Sequence, residues 1–64
     1  MPIVTVHGPK VEDTDKKRRF VGAVTEATSD LFGLPQQSIV VLLRETDPAN
    51  VGVGGELISD RRGK

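Results

Sequence analysis

Pro2, directly after Met1, carries the most distinctive chemistry in this sequence. A small second residue permits removal of the initiator methionine, which would leave Pro2 with a free secondary amine. An α-amino group titrates near ~8 when unperturbed, and desolvation lowers that value by disfavouring the charged form. The next residues, Ile3 and Val4, are apolar. A base poised near neutrality is what proton transfer needs, and the pyrrolidine ring leaves its nitrogen little to order. Taken alone, proline at position two is also an ordinary leader to a strand.

Other reactive side chains are few. His7 is the only histidine; it reads as a packed or interface residue, or as a proton shuttle. Lys16-Lys17-Arg18-Arg19 spreads around a helix and reads as a solvated surface. Glu45, Asp47 and Glu56 are carboxylates to which the sequence assigns no role. The segment Gly52-Val53-Gly54-Gly55-Glu56-Leu57 has glycines at nucleotide-loop spacing, but Leu57 stands where a third glycine is needed. No helical period follows, so a tight turn or hairpin is the better reading.

These residues need a scaffold, and 64 residues allow one small domain. Nine Lys+Arg balance nine Asp+Glu, which argues against a nucleic-acid partner. No apolar run is long enough to span a bilayer, and no signal peptide is recognisable. With no cysteine and one histidine, disulfides, thiolate catalysis and multi-histidine metal sites are excluded within one chain. The default expectation is a cytoplasmic protein without metal or organic cofactor. A chain this short buries only about 60% of its unfolded surface. Two Phe and no Trp or Tyr give no large aromatic core, so oligomerisation is expected to complete the fold.

The β-branched run Ile3–His7 predicts a strand, ended by Gly8 and Pro9. A helix is expected from about Thr14 to about Phe32, with Asp13 or Thr14 as its N-cap and Gly33 beyond its end. Phe20, Ala23, Val24, Ala27 and Leu31 mark its apolar face. Ile39–Leu43, five apolar residues, predicts a second, buried strand. Strand, helix and strand make a right-handed βαβ unit with parallel strands. Residues 46–50 read as a loop, 51–58 as a short hairpin or turn, and 60–64 as a fraying tail. Two parallel strands are not stable alone, and their edges invite another chain.

Met-Pro-Ile at the start, a βαβ chain of this length and Gly-Val-Gly-Gly-Glu-Leu at 52–57 resemble the 4-oxalocrotonate tautomerase family over essentially the whole chain. The similarity is closest to its short DmpI-type members. The resemblance implies an α+β fold of two parallel strands, one helix and a C-terminal hairpin, completed as a homohexamer, a trimer of dimers. It implies one domain over residues 1–64, with Met1 removed and Pro2 as general base, and no metal or cofactor. The implied reaction is keto–enol or 1,3-allylic proton transfer on a small 2-oxo or 2-hydroxy unsaturated acid, 2-hydroxymuconate in the archetype. Cationic side chains from neighbouring subunits would hold the carboxylates and the dienolate charge.

An ungapped alignment puts one family arginine on Glu12, a second on Val40 and the active-site aromatic on Val51. Lys10 and Arg44 are the replacement cations available, Arg44 only toward another subunit's site. Fewer substrate carboxylates than in the archetype are therefore expected. Two alternatives are hydration or dehalogenation of a small acrylate, with Glu12 or Glu45 activating water, and a non-catalytic oligomerisation module.

Overall fold

The β-branched residues at the start form strand β1 (Ile3–Gly8), whose side chains alternate in exposure. Val4 and Val6 are half-buried; Ile3, Thr5 and His7 are exposed, as the two-residue period of a strand requires. The computed structural model describes residues 1–62. Helix α1 (Thr14–Phe32) follows. Asp13 is its N-cap, accepting hydrogen bonds from the N–H groups of Asp15 and Lys16 at 3.0 and 3.3 Å. Gly33 ends the helix at φ 67°, and its N–H donates to the Ser29 carbonyl. That left-handed conformation is costly for a residue with a Cβ.

Strand β2 (Val40–Glu45) runs parallel to β1, with Ile3 beside Val40 and Gly8 beside Glu45. It begins one residue later than the apolar run suggests. The Ile39 N–H is taken by the Gln36 carbonyl, closing a 3-10 turn at Gln36–Ser38. β2 also ends two residues later, because apolarity does not mark the end of a hydrogen-bonded ladder. The Thr46 N–H donates to the Gly8 carbonyl at 2.9 Å, beyond the last strand residue.

Pro48–Asn50 forms a 3-10 turn within the expected loop. Strands β3 (Gly52–Val53) and β4 (Glu56–Leu57) pair antiparallel as the hairpin. Gly54 and Gly55 turn it at φ 63° and 85°, the double positive φ of a tight hairpin loop. The chain then enters a short helix, α2 (Ile58–Arg62), rather than fraying from residue 60. Ile58 N–H bonds the Val51 carbonyl at 2.8 Å, and Arg61 Nε meets Glu56 Oε1 at 2.9 Å. The rest of the expected tail, residues 63–64, lies outside the described residues.

The helix packs on the sheet by a different face from the one its apolar period marks. Lys17, Val21, Val24, Thr25, Thr28 and Ser29 are the covered positions, with Thr28 buried and its hydroxyl donating to the Val24 carbonyl. Of the expected apolar face only Val24 is among them; Phe20, Ala23, Ala27 and Leu31 are exposed, Leu31 by 76%. At 3.6 residues per turn the two faces lie roughly 90° apart. The sheet fills one, and the apolar one is left open.

Among the described residues no apolar side chain is fully buried. The radius of gyration is 15.2 Å, against roughly 11 Å for a compact chain of this length. The accessible surface is 4979 Å², where a compact 6.9 kDa monomer would expose roughly 4,000 Å². A fold this open depends on partner copies. Its melting temperature should therefore rise with protein concentration, and dilution should dissociate and unfold it together. Calorimetry over a hundredfold concentration range, read against sedimentation velocity, checks this; a constant melting point for a monomer would refute it.

Candidate active site

Pro2 is held by the sheet rather than by side-chain packing. Its carbonyl accepts from the Val40 N–H at 3.0 Å, extending the ladder one step before β1. Proline fixes φ, so ring and nitrogen are set by the register of two strands. Pro2 is half-buried, and Met1 before it is 84% exposed. While Met1 remains, the Pro2 nitrogen is an amide with no basic lone pair.

At the other end of β1 lies a cavity of about 410 Å³. Val6, Val11, Phe20 and Leu43 give it apolar walls, and Lys16, Lys17 and Glu45 also line it. The turn leaving β1 closes one side through Pro9 and Val11. A second cavity, of about 510 Å³, lies toward the C-terminal segment and includes His7, Thr46, Pro48 and Val51. Val51 is half-buried and borders that second cavity.

Lys10 sits in the turn with its ammonium 3.6 Å from the Glu12 carboxylate, both side chains well exposed. Glu12 thus faces the candidate cation directly. Arg44 pairs in register with His7, on the sheet face that carries Ile3 and Thr5, and it borders the first cavity. One chain does not bring these groups to Pro2: six strand residues separate the two ends of β1 by roughly 20 Å. Among the described residues no cluster of three or more His, Asp or Glu side chains could hold a metal.

Sequence reasoning left Glu45 without a partner, and the structure supplies two. Its Oε2 accepts the Val11 N–H at 2.9 Å and lies 2.8 Å from Lys17 Nζ. These contacts lower its pKa from the ordinary value of 4.5, the Lys17 hydrogen bond contributing most and the Val11 N–H next. No local pattern announces either contact, because Val11 and Glu45 are 34 residues apart. The basic run is correspondingly divided: Lys17 turns inward to Glu45, while Arg18 pairs with Asp15 on the exposed surface.

A two-stranded parallel sheet crossed by one helix, with a proline ahead of its first strand and a glycine hairpin at its end, defines a tautomerase-type α+β fold. The family model described as tautomerase enzyme matches residues 2–61. A probable tautomerase of Bacillus cereus is 34% identical over 61 residues, covering 95% of this chain and 100% of its own. The 2-hydroxymuconate tautomerase of Bacillus subtilis is 35% identical over 60 residues, covering 94% and 97%. Among solved structures, DmpI from Archaeoglobus fulgidus is 42% identical with a TM-score of 0.82, covering 92% of this chain and 100% of that one. The chain belongs to the tautomerase family and is an isomerase of that class. Membership implies a small-molecule substrate and self-association, and it sets aside the non-catalytic module. No helix among the described residues is long and apolar enough to cross a membrane.

Glu45 offers a direct check on the site's electrostatics. Its folded pKa is depressed, so the stability it contributes is present above the unfolded value and is lost as pH falls through the folded one. Carbon-detected NMR titration should place its midpoint below 4.5, and Lys17→Met should move that midpoint upward. A midpoint unmoved by Lys17→Met would remove the lysine as its cause.

Proposed function

We propose that this tautomerase uses the Pro2 amine, freed by removal of Met1, as general base in a site shared between two chains. The observation that carries the reading is the placement of Pro2 and the cavity at opposite ends of one free strand edge, on one sheet face. Pro2 has the parity of Val4 and Val6, and Val6 lines the cavity. Among the described residues the sheet order β1-β2 leaves an edge of β1 unpaired. Antiparallel pairing of two β1 edges would set each Pro2 beside the other chain's turn, within one strand spacing of about 4.8 Å. Lys10 and the cavity of the second chain then meet the first chain's amine. Three such pairs would make the homohexamer, a trimer of dimers, that the family resemblance implies.

In that site Pro2 takes the proton from the enol or dienol hydroxyl and returns it to carbon along the conjugated system. The proton shifts and the double bonds move with it. No redox partner or second substrate is needed. Apolar walls keep the amine desolvated, which favours its neutral form. Lys10 holds the substrate carboxylate as negative charge spreads over the dienolate. Arg44 is the second cation proposed for substrate binding, toward a further subunit's site rather than its own.

The substrate in this reading is a small 2-oxo or 2-hydroxy unsaturated acid with one carboxylate. Glu12, 3.6 Å from Lys10, offsets the charge that a second carboxylate would need, and Val40 and Val51 add none. Acrylate hydration finds no support in the carboxylates it requires. Glu45 is held by Val11 and Lys17, and Glu12 faces Lys10.

Intact mass of the natively expressed protein should show Met1 absent. Pro2→Ala should then lower turnover of phenylenolpyruvate by about 10²-fold or more, with the oligomer unchanged by sedimentation. Retained Met1 alongside full activity, or equal activity in Pro2→Ala, would overturn the amine mechanism. In the same assay phenylenolpyruvate should outrun 2-hydroxymuconate in kcat/KM, and Glu12→Gln should narrow that gap.

A further inference from the structure

The turn that walls the first cavity is fixed by a single side chain on another element. β1 makes its last ladder bond at the Gly8 carbonyl, and α1 is first capped at Asp13. Between them Pro9 has no N–H to give. The Val11 N–H crosses to Glu45 Oε2 at 2.9 Å, and the same oxygen lies 2.8 Å from Lys17 Nζ on α1. One carboxylate therefore joins the end of β2, the turn and the first turns of the helix. Lys10 is the immediate neighbour of Val11, so the path of its backbone follows from this tether.

We propose that Glu45 is a positioning residue for the tautomerase reaction: it holds the turn of residues 9–12 so that Lys10 and the cavity wall meet the substrate carboxylate. The proposal rests on the reading that this turn receives that carboxylate. It assigns Glu45 no contact with substrate and no proton to move.

Three features separate this role from general support of the fold. The Lys17 and Glu45 side chains remain 30% and 28% exposed, so the contact can open without unpacking a core. The tether bears on an irregular segment, whereas both ends of the β1–β2 ladder have their own backbone bonds from Val40 to Pro2 and from Thr46 to Gly8. Glu45 also engages Lys17, one of three cations that line the cavity with Lys16 and Arg44, and Lys10 is the turn's own cation. Loss of the tether should weaken substrate binding more than it slows the chemical step, because Pro2 is held from the far end of the strand.

The test compares Glu45→Ala, Glu45→Gln and Pro2→Ala with phenylenolpyruvate as substrate. Glu45→Ala should raise KM about tenfold with kcat within about twofold. Val11 amide exchange should quicken, and sedimentation should not change. Glu45→Gln keeps an oxygen to accept the Val11 N–H and should restore most of KM and of the amide protection. An unchanged KM in Glu45→Ala, or a Gln variant no better than Ala, overturns the proposal. Should Glu45→Ala fail to assemble, Glu45→Asp withdraws the carboxylate by one methylene and carries the same comparison. There too a raised KM supports the tether and an unchanged KM overturns it. Full turnover in Pro2→Ala would overturn the proline base alone, because the KM ratio of Ala to Gln at position 45 reports the turn whichever group is the base.

Discussion

A chain that leaves its helix stripe, its outer sheet face and its strand edges open at once has to complete its core with copies of itself. The stripe of Phe20, Ala23, Ala27 and Leu31 flanks the face that meets the sheet. The outer sheet face shows Ile3 at 55% and Leu42 at 39% exposure. A two-stranded sheet keeps one free edge on each strand. The proposed twofold contact through β1 would close one edge and set two helices on one side of a wider sheet, where their stripes could meet. It would leave the outer face and the β2 edges uncovered. A second kind of contact would then be required, and the proposed trimer of dimers would supply it.

The same constraint explains which parts of the fold were legible in the sequence. Strands, helix and hairpin announce themselves locally, through β-branched runs, the Asp13 cap, the Gly33 stop and the paired glycines at 54 and 55. Helix α1 accordingly spans Thr14–Phe32, as its caps and period indicate. Its packing was misread because hydrophobic period records all the surface a helix must bury, whichever chain covers it. In a monomer the apolar stripe and the core face coincide; here Thr25 and Thr28 face the sheet while Leu31 waits for a partner. The α2 turn was missed for a related reason. Its charged residues resemble a tail, and its anchor, Ile58 to Val51, is a backbone bond that composition does not reveal.

The site divides along similar lines. Pro2 stands out because its position in the chain creates a functional group, and position is visible in a sequence. Lys10 and Glu12 can be named as neighbours, but only coordinates bring their charges to 3.6 Å. Glu45 could not be found at all from spacing, since its partners come from the turn and from the helix. In the proposed site Glu12, the apolar side chains at 40 and 51 and the tethered turn would set recognition together, while the scaffold is that of the family. Family membership was therefore easier to read than substrate.

This division has a structural cause. The proposed base is located by backbone geometry: the ring fixes φ, and the Pro2 carbonyl is locked to the Val40 N–H at the start of a parallel register. None of those determinants involves a side chain that touches substrate. The groups proposed to recognise the carboxylate lie instead on an irregular turn at the far end of β1, and reach the base only through a neighbouring chain. A change of charge at position 12 would alter the field around Lys10 in that proposed site without moving the amine. Substrate preference can thus drift by single residues in the turn while proton transfer keeps its geometry, as long as the strand edges still pair.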